Sequence, residues 1–299
     1  MDRRSFLQNS SWVAAGTLLL AGKIPTKHDY HLAMVRGGSP APMLDLAIEV
    51  FGDIKTFIQP GQKILMKPTI LWNQLPESGA NTNPKLLAHL TDLCYDAGAR
   101  EVLFVEHTVD AWTKCYKNSG IERAVKDVGA KILPGNKEFL YHEVAIPNAQ
   151  VMKTAKIHEG VLDTDVIINV PAVSQTEELG YFGAFDNLME LVWPTQLTKS
   201  QRPQCMVDFL RFRKPVLNII DASRVLQRIP TKQKSTGRTQ NYKTLILSSD
   251  IISSDVFAAK RLGVNPESLP YLTLAAQAGF GQMNPPADEI RSLVLKNSQ

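Results

Sequence analysis

Five apolar runs of strand length, at residues 63–67, 101–106, 165–170, 216–221 and 244–248, constrain this chain more than any other feature. Their centres, such as Ile64-Leu65-Met66 and Val166-Ile167-Ile168, are apolar at successive positions, so both faces of each strand need cover. The segments between several of them have helical spacing, and strands that alternate with helices form parallel sheets with helices on both sides. The expected fold is therefore α/β, a three-layer arrangement with a predominantly parallel sheet flanked by helices.

The helix after the first of these runs is signalled at both ends. Asn83 can cap it, Pro84 suits its first position, Leu86, Leu87, Leu90, Leu93 and Cys94 share a face, and Gly98 ends it. A second helix is expected at 121–128 before a short strand at 130–133, and further helices at 254–262 and 271–278. Residues 31–35 read as a strand, 43–51 as a helix, and 141–146 as a strand on an edge or in an antiparallel pair. The polar, lysine-rich stretch 227–241 reads as an exposed loop. With 299 residues, 44% of them hydrophobic, the chain can bury one core of ordinary size, and residues 23–299 are read as a single α/β domain.

Residues 1–22 are read differently. Arg3-Arg4-Ser5-Phe6-Leu7, followed by the apolar run 12–21, has the form of a twin-arginine export signal. That run is shorter than the roughly 20 apolar residues of a stable membrane span. Export by the twin-arginine translocase to the periplasm is the expectation, with cleavage left open because no Ala-x-Ala site precedes Lys23.

The net charge of +4 is too small, and the basic clusters at 211–214 and 232–234 too local, to argue for a nucleic-acid partner. The three cysteines, Cys94, Cys115 and Cys205, are widely spaced with no Cys-x-x-Cys pair, so no iron-sulfur cluster is expected within this chain. Dinucleotide, phosphate-loop and serine-esterase motifs are also missing.

Parallel sheets bind ligands beyond the carboxyl ends of their strands, which here singles out Lys67, Glu106-His107, Asn169, Asp221 and Asp250. His107 titrates in a useful range for a general base. If the strand runs on through both residues, however, Glu106 and His107 point to opposite faces. Asp221, Asp250 and Asp255 are weak metal candidates, with Asn169 or Asn187 able to add a carbonyl oxygen. Asp250 as a turn former and Asp255 in the first turn of a helix are the simpler readings.

Lys67-Pro68, the Asn83-Pro84 helix with Ala97-Gly98-Ala99, the segment 165–171, Gly183-Ala184-Phe185-Asp186-Asn187-Leu188, Ile220-Asp221 and the segment 249–258 occur in the order seen in one family. The chain resembles the bacterial and archaeal domain-of-unknown-function family 362. Relatives commonly carry a lysine-threonine-histidine triplet where this chain has Ser174-Gln175-Thr176, and lysine-asparagine where it has Asp186-Asn187. Two cations of the family pattern are thus absent. Many relatives have ferredoxin-type modules, so the resemblance implies an iron-sulfur or redox partner protein. Together these readings give a candidate ligand site of Lys67, Asn169, Asn187, Asp221 and Asp250 for a small polar ligand. The expected function is an enzyme or accessory in periplasmic redox or cofactor metabolism; the alternative is a non-catalytic binding or maturation protein.

Overall fold

The computed structural model describes residues 30–176, 180–194, 198–229 and 238–295; the export motif at Arg3-Arg4 lies outside them. In chain order, β1 (Leu32–Arg36) is followed by α1 (Pro40–Val50), β2 (Lys63–Pro68), α2 (Pro84–Asp96) and β3 (Glu101–Glu106). Next come α3 (Trp112–Asn118), α4 (Ile121–Asp127), β4 (Lys131–Pro134), β5 (Tyr141–Ala145), β6 (Thr154–His158) and α5 (Glu159–Leu162). The second half holds β7 (Val166–Val170), β8 (Ala172–Thr176), α6 (Ala184–Met189), α7 (Arg202–Phe212), β9 (Leu217–Ile229) and β10 (Arg238–Ser248). It closes with α8 (Ile251–Arg261), α9 (Pro270–Gln277) and β11 (Ile290–Val294).

Nine strands form one sheet in the order β11-β1-β10-β9-β7-β2-β3-β4, with β8 running on beyond β7 along the far part of β9. Every pairing is parallel except the two made by β10, which runs against both β1 and β9. The fold is thus α/β with a mostly parallel sheet. β5 and β6 form a separate antiparallel ribbon.

The period-two alternation of the strands divides the core. Ile64, Met66, Val102, Phe104, Ile168, Leu217, Ile219, Leu245 and Leu247 pack on one face with residues of α1, α2 and α4. Leu65, Leu103, Ile167, Ile220 and Ile246 pack on the other with α6, α7, α8 and α9. Neither set of helices could leave without exposing a full face of apolar side chains, at about 25 cal/mol per Å² of apolar surface. At the start of α2, Asn83 Oδ1 accepts from Lys85 N at 3.0 Å, with Pro84 in the first turn, as the sequence signals.

One expectation needs correcting. Residues 227–241 are not all loop, because β9 continues to Ile229 and β10 begins at Arg238. Their outer halves form a two-stranded arm in which Arg238 pairs with Gln227 and Gln240 with Val225, and a solvated arm can alternate polar side chains without the apolar runs that mark a core strand.

Candidate functional site

Lys67, Asn169 and Asn218 lie side by side across β2, β7 and β9, each in register with the next. All three are fully buried, a row of polar side chains inside a sheet that is otherwise apolar there. Such groups are stable only when every donor and acceptor is paired. Asn218 Oδ1 accepts from Asn169 Nδ2 at 3.0 Å, and Asn169 Oδ1 accepts from Asn187 Nδ2 at 2.8 Å. Asn187, on α6, also donates to the Lys67 carbonyl at 2.9 Å and accepts from Lys67 Nζ at 3.1 Å.

The Lys67 ammonium completes its bonding with Glu106 Oε2 at 2.8 Å and the Pro68 carbonyl at 2.7 Å. Both members of this ion pair are fully buried. Glu106 is further held by Ile70 N and His107 N, yet burial still pushes its carboxyl above the usual range, against the pull of Lys67. All three ammonium protons of Lys67 have acceptors within the protein, so this side chain has none left for an anion.

Glu190 supplies a further carboxylate near Lys67 and Glu106. It follows α6 directly, three residues after Asn187, which puts both side chains on one face of the helix, toward Lys67. Glu190 keeps partial exposure among residues that are otherwise buried. Burial and the neighbouring Glu106 carboxylate raise it to about 7, while Lys67 and Arg202 pull the other way. The ring of Trp193 packs against His107 at 5.3 Å and against Tyr141 at 5.0 Å. Partial burial and the Lys67 charge lower the His107 imidazole, so it is neutral near neutral pH. Close by, the Tyr116 hydroxyl is buried and lacks a hydrogen-bond partner; its neighbours include Glu106 and Tyr141. A carboxyl raised to about 7 can take up and release a proton at ordinary pH.

Of the five candidate residues, Lys67, Asn169 and Asn187 touch one another. Asp221 stands one step away. Its carboxylate accepts from Asn83 N at 2.9 Å and from Ser223 N and Oγ at 3.0 and 2.6 Å, tying β9 to the start of α2. Asp250 does not join them. It follows β10, and since that strand is antiparallel to β9, with Ser248 opposite Asn218, its carboxyl end points to the opposite end of the sheet. There Asp250 caps α8 through Ile252 N and Ser253 N and bonds His31 Nε2 at 2.9 Å. The convergence of all five is therefore corrected to three in contact, with Asp221 beside them and Asp250 remote.

The metal candidates Asp221, Asp250 and Asp255 are likewise engaged with different partners. Asp255 is buried against Tyr181 Oη at 2.8 Å and the amides of Ala184 and Phe185, where it holds the start of α6 and is raised to about 7 by burial. Among the described residues, no three His, Cys, Asp or Glu side chains are grouped to hold a metal ion. Sequence reasoning missed Glu190 and Asn218. Asn218 had a usable signal, since it interrupts an apolar strand in register with Asn169, but Glu190 depends on where α6 docks.

Residues 64–260 match the model of the family described as Domain of unknown function (DUF362). The chain belongs to this family. The thylakoid-associated protein sll1697 of Synechocystis sp. (strain ATCC 27184 / PCC 6803 / Kazusa) is 23% identical over 276 residues, which cover 87% of this chain and 83% of that protein. Among solved structures, the lactate racemase apoprotein from Thermoanaerobacterium thermosaccharolyticum is similar with a TM-score of 0.45 and 10% identity. That match covers 76% of this chain and 56% of the solved chain, a little over half its length. Asp186 lies where the sequence resemblance implies a lysine. It is buried and paired with Arg202 at 3.0 Å, so its environment supplies a cation only to neutralise it.

Proposed function

We propose that this DUF362 protein is exported by the twin-arginine route and holds a small polar ligand in the recess at the carboxyl ends of β2, β3 and β7. Glu190 and His107 are its proton-handling groups, and the buried Lys67–Glu106 pair fixes the floor. The observation that carries this reading is Glu190, a partly exposed carboxyl raised to about 7 beside a second buried carboxylate. Perturbed carboxyls in recesses are typical of sites that exchange protons with a bound molecule. On this reading the protein is an enzyme or accessory in periplasmic redox or cofactor metabolism, working with a redox partner.

A second reading, a non-catalytic binding or maturation protein, is favoured by the engagement of Lys67 in three internal hydrogen bonds and by Asp186 replacing a family cation.

Two experiments test the proposal. Native protein purified from periplasm should carry a small molecule detectable by intact mass and absorption, and the Glu190→Gln protein should lose it; an unliganded wild-type protein, or retention by the variant, refutes the recess as the site. Arg3→Lys with Arg4→Lys should hold the protein in the cytoplasm, and its continued appearance in the periplasm overturns the export assignment.

A further inference from the structure

The opposite end of the sheet carries a concavity. A cleft of about 480 Å³ opens where β9 begins and β10 ends, within the range of small-molecule sites. Its walls are apolar, formed by Phe57, Val216, Ile251 and Phe280, and the hydroxyl residues Thr56 and Ser249 line it as well. Its charge comes from Lys214, an exposed side chain whose ammonium lies 5.8 Å from the Phe280 ring centre. The Arg211 guanidinium lies over the same ring at 5.6 Å.

The charges nearby are unequally matched. Asp250 sits between the lining residues Ser249 and Ile251, but its carboxylate accepts from Ile252, Ser253 and Gln282 amides and bonds His31. Arg211 has Asp208 as an ion-pair partner at 3.7 Å. Lys214 has no carboxylate partner among the described residues. We infer that this cleft is a binding site for a small carboxylate with an aromatic or other compact apolar body. The apolar part packs between Phe57 and Phe280, and the carboxylate pairs with Lys214 and the Ser249 or Thr56 hydroxyl. An ammonium over an aromatic ring keeps its outward protons for a ligand while the ring supports its charge, and charge-assisted hydrogen bonds are the stronger ones. This site is independent of the recess beyond the parallel strands, and the two can fail separately.

Phenylacetate is the probe, with phenethylammonium as the same body of opposite charge and acetate as the same charge without the body. The full chain is titrated while backbone amide NMR shifts are followed. Phenylacetate should move the amides of 56–57, 216 and 249–251 saturably, and neither control should do so at equal concentration. Lys214→Gln should weaken binding about tenfold, the size of one lost charge-assisted contact. Lys114→Gln, an equally exposed lysine on α3, should leave it unchanged. The inference is overturned by no saturable shift at about 10 mM, by equal binding of phenethylammonium, by insensitivity to Lys214→Gln, or by shifts centred on His107 and Trp193.

Discussion

Replacing Lys67 by methionine tests the buried ion pair directly. Methionine nearly matches the lysine stem in volume, so the change removes the charge and its three hydrogen bonds while leaving packing close to its original state. Both Lys67 and Glu106 are fully buried, and removal of one partner strands the other in a medium that solvates it poorly. The expected loss is about 3–5 kcal/mol at neutral pH. For a chain of this size that lowers the melting temperature by about 6–20 °C. Circular dichroism with urea and thermal unfolding measures both quantities. The pH dependence supplies a second check. Burial already raises Glu106, and loss of Lys67 removes the group that pulled it down. A carboxyl raised in the folded state contributes stability below its unfolded value and loses it as pH rises through the folded one. The deficit of Lys67→Met should therefore shrink as pH falls toward 4.5, the ordinary value. Adding Glu106→Gln should restore at least about 2 kcal/mol, since neither charge then remains. A loss below about 1 kcal/mol, or one independent of pH, would mean that water reaches the pair and the rigid floor of the recess does not exist.

Three further outcomes are expected. Glu190→Gln should raise stability at pH 8 by about 1–3 kcal/mol and leave it unchanged near pH 4, because a carboxyl raised from 4.5 to about 7 loses its favourable contribution across that window; urea unfolding at the two pH values measures the difference. Gly183→Ala should cost about 1–3 kcal/mol, since a Cβ there would collide with Asp255 Oδ1 and the Tyr181 ring and hydroxyl, and a crystal structure of the variant should show α6 displaced. The Asp250 hydrogen bond raises His31 above its usual 6.5, so that stability is full below pH 6.5 and falls as pH rises through the higher folded value. His31→Gln should flatten that part of the stability–pH curve.

The sheet was legible because its central strands carry apolar residues on both faces, a pattern with few other solutions. Ile64-Leu65-Met66 and Val166-Ile167-Ile168 could scarcely be anything but covered strands. Direction was not legible. The run 244–248 is buried on both faces whichever way it travels, so nothing local reports that β10 is antiparallel and that Asp250 is carried away from Lys67. Lys67, Asn169 and Asn187 were found because a polar residue at the end of such a strand has few reasons to be there. Their mutual bonding explains them as interior structure as much as site. Glu190 was invisible for a different reason: its pKa is raised by burial and then by Glu106, which is 84 positions earlier in the chain, and both act only through the docking of α6.

The pairings of β1 have a kinetic meaning. This strand is held between β10 and β11, and Ser248 Oγ donates to the carbonyl of His31 across 217 positions of chain. It comes first among the described strands of the sheet, and both of its neighbours follow far along the chain, with Arg36 paired to Thr244 and Leu32 to Ile290. Closing so long a loop costs entropy before any contact returns it, and folds rich in such contacts assemble slowly. Until residue 248 has emerged β1 lacks β10, and until residue 294 it lacks β11, so at least one of its backbone edges stays open to unwanted strand pairing. A truncation before β11 should therefore leave β1 paired with β10 alone, its other edge open as a point of aggregation.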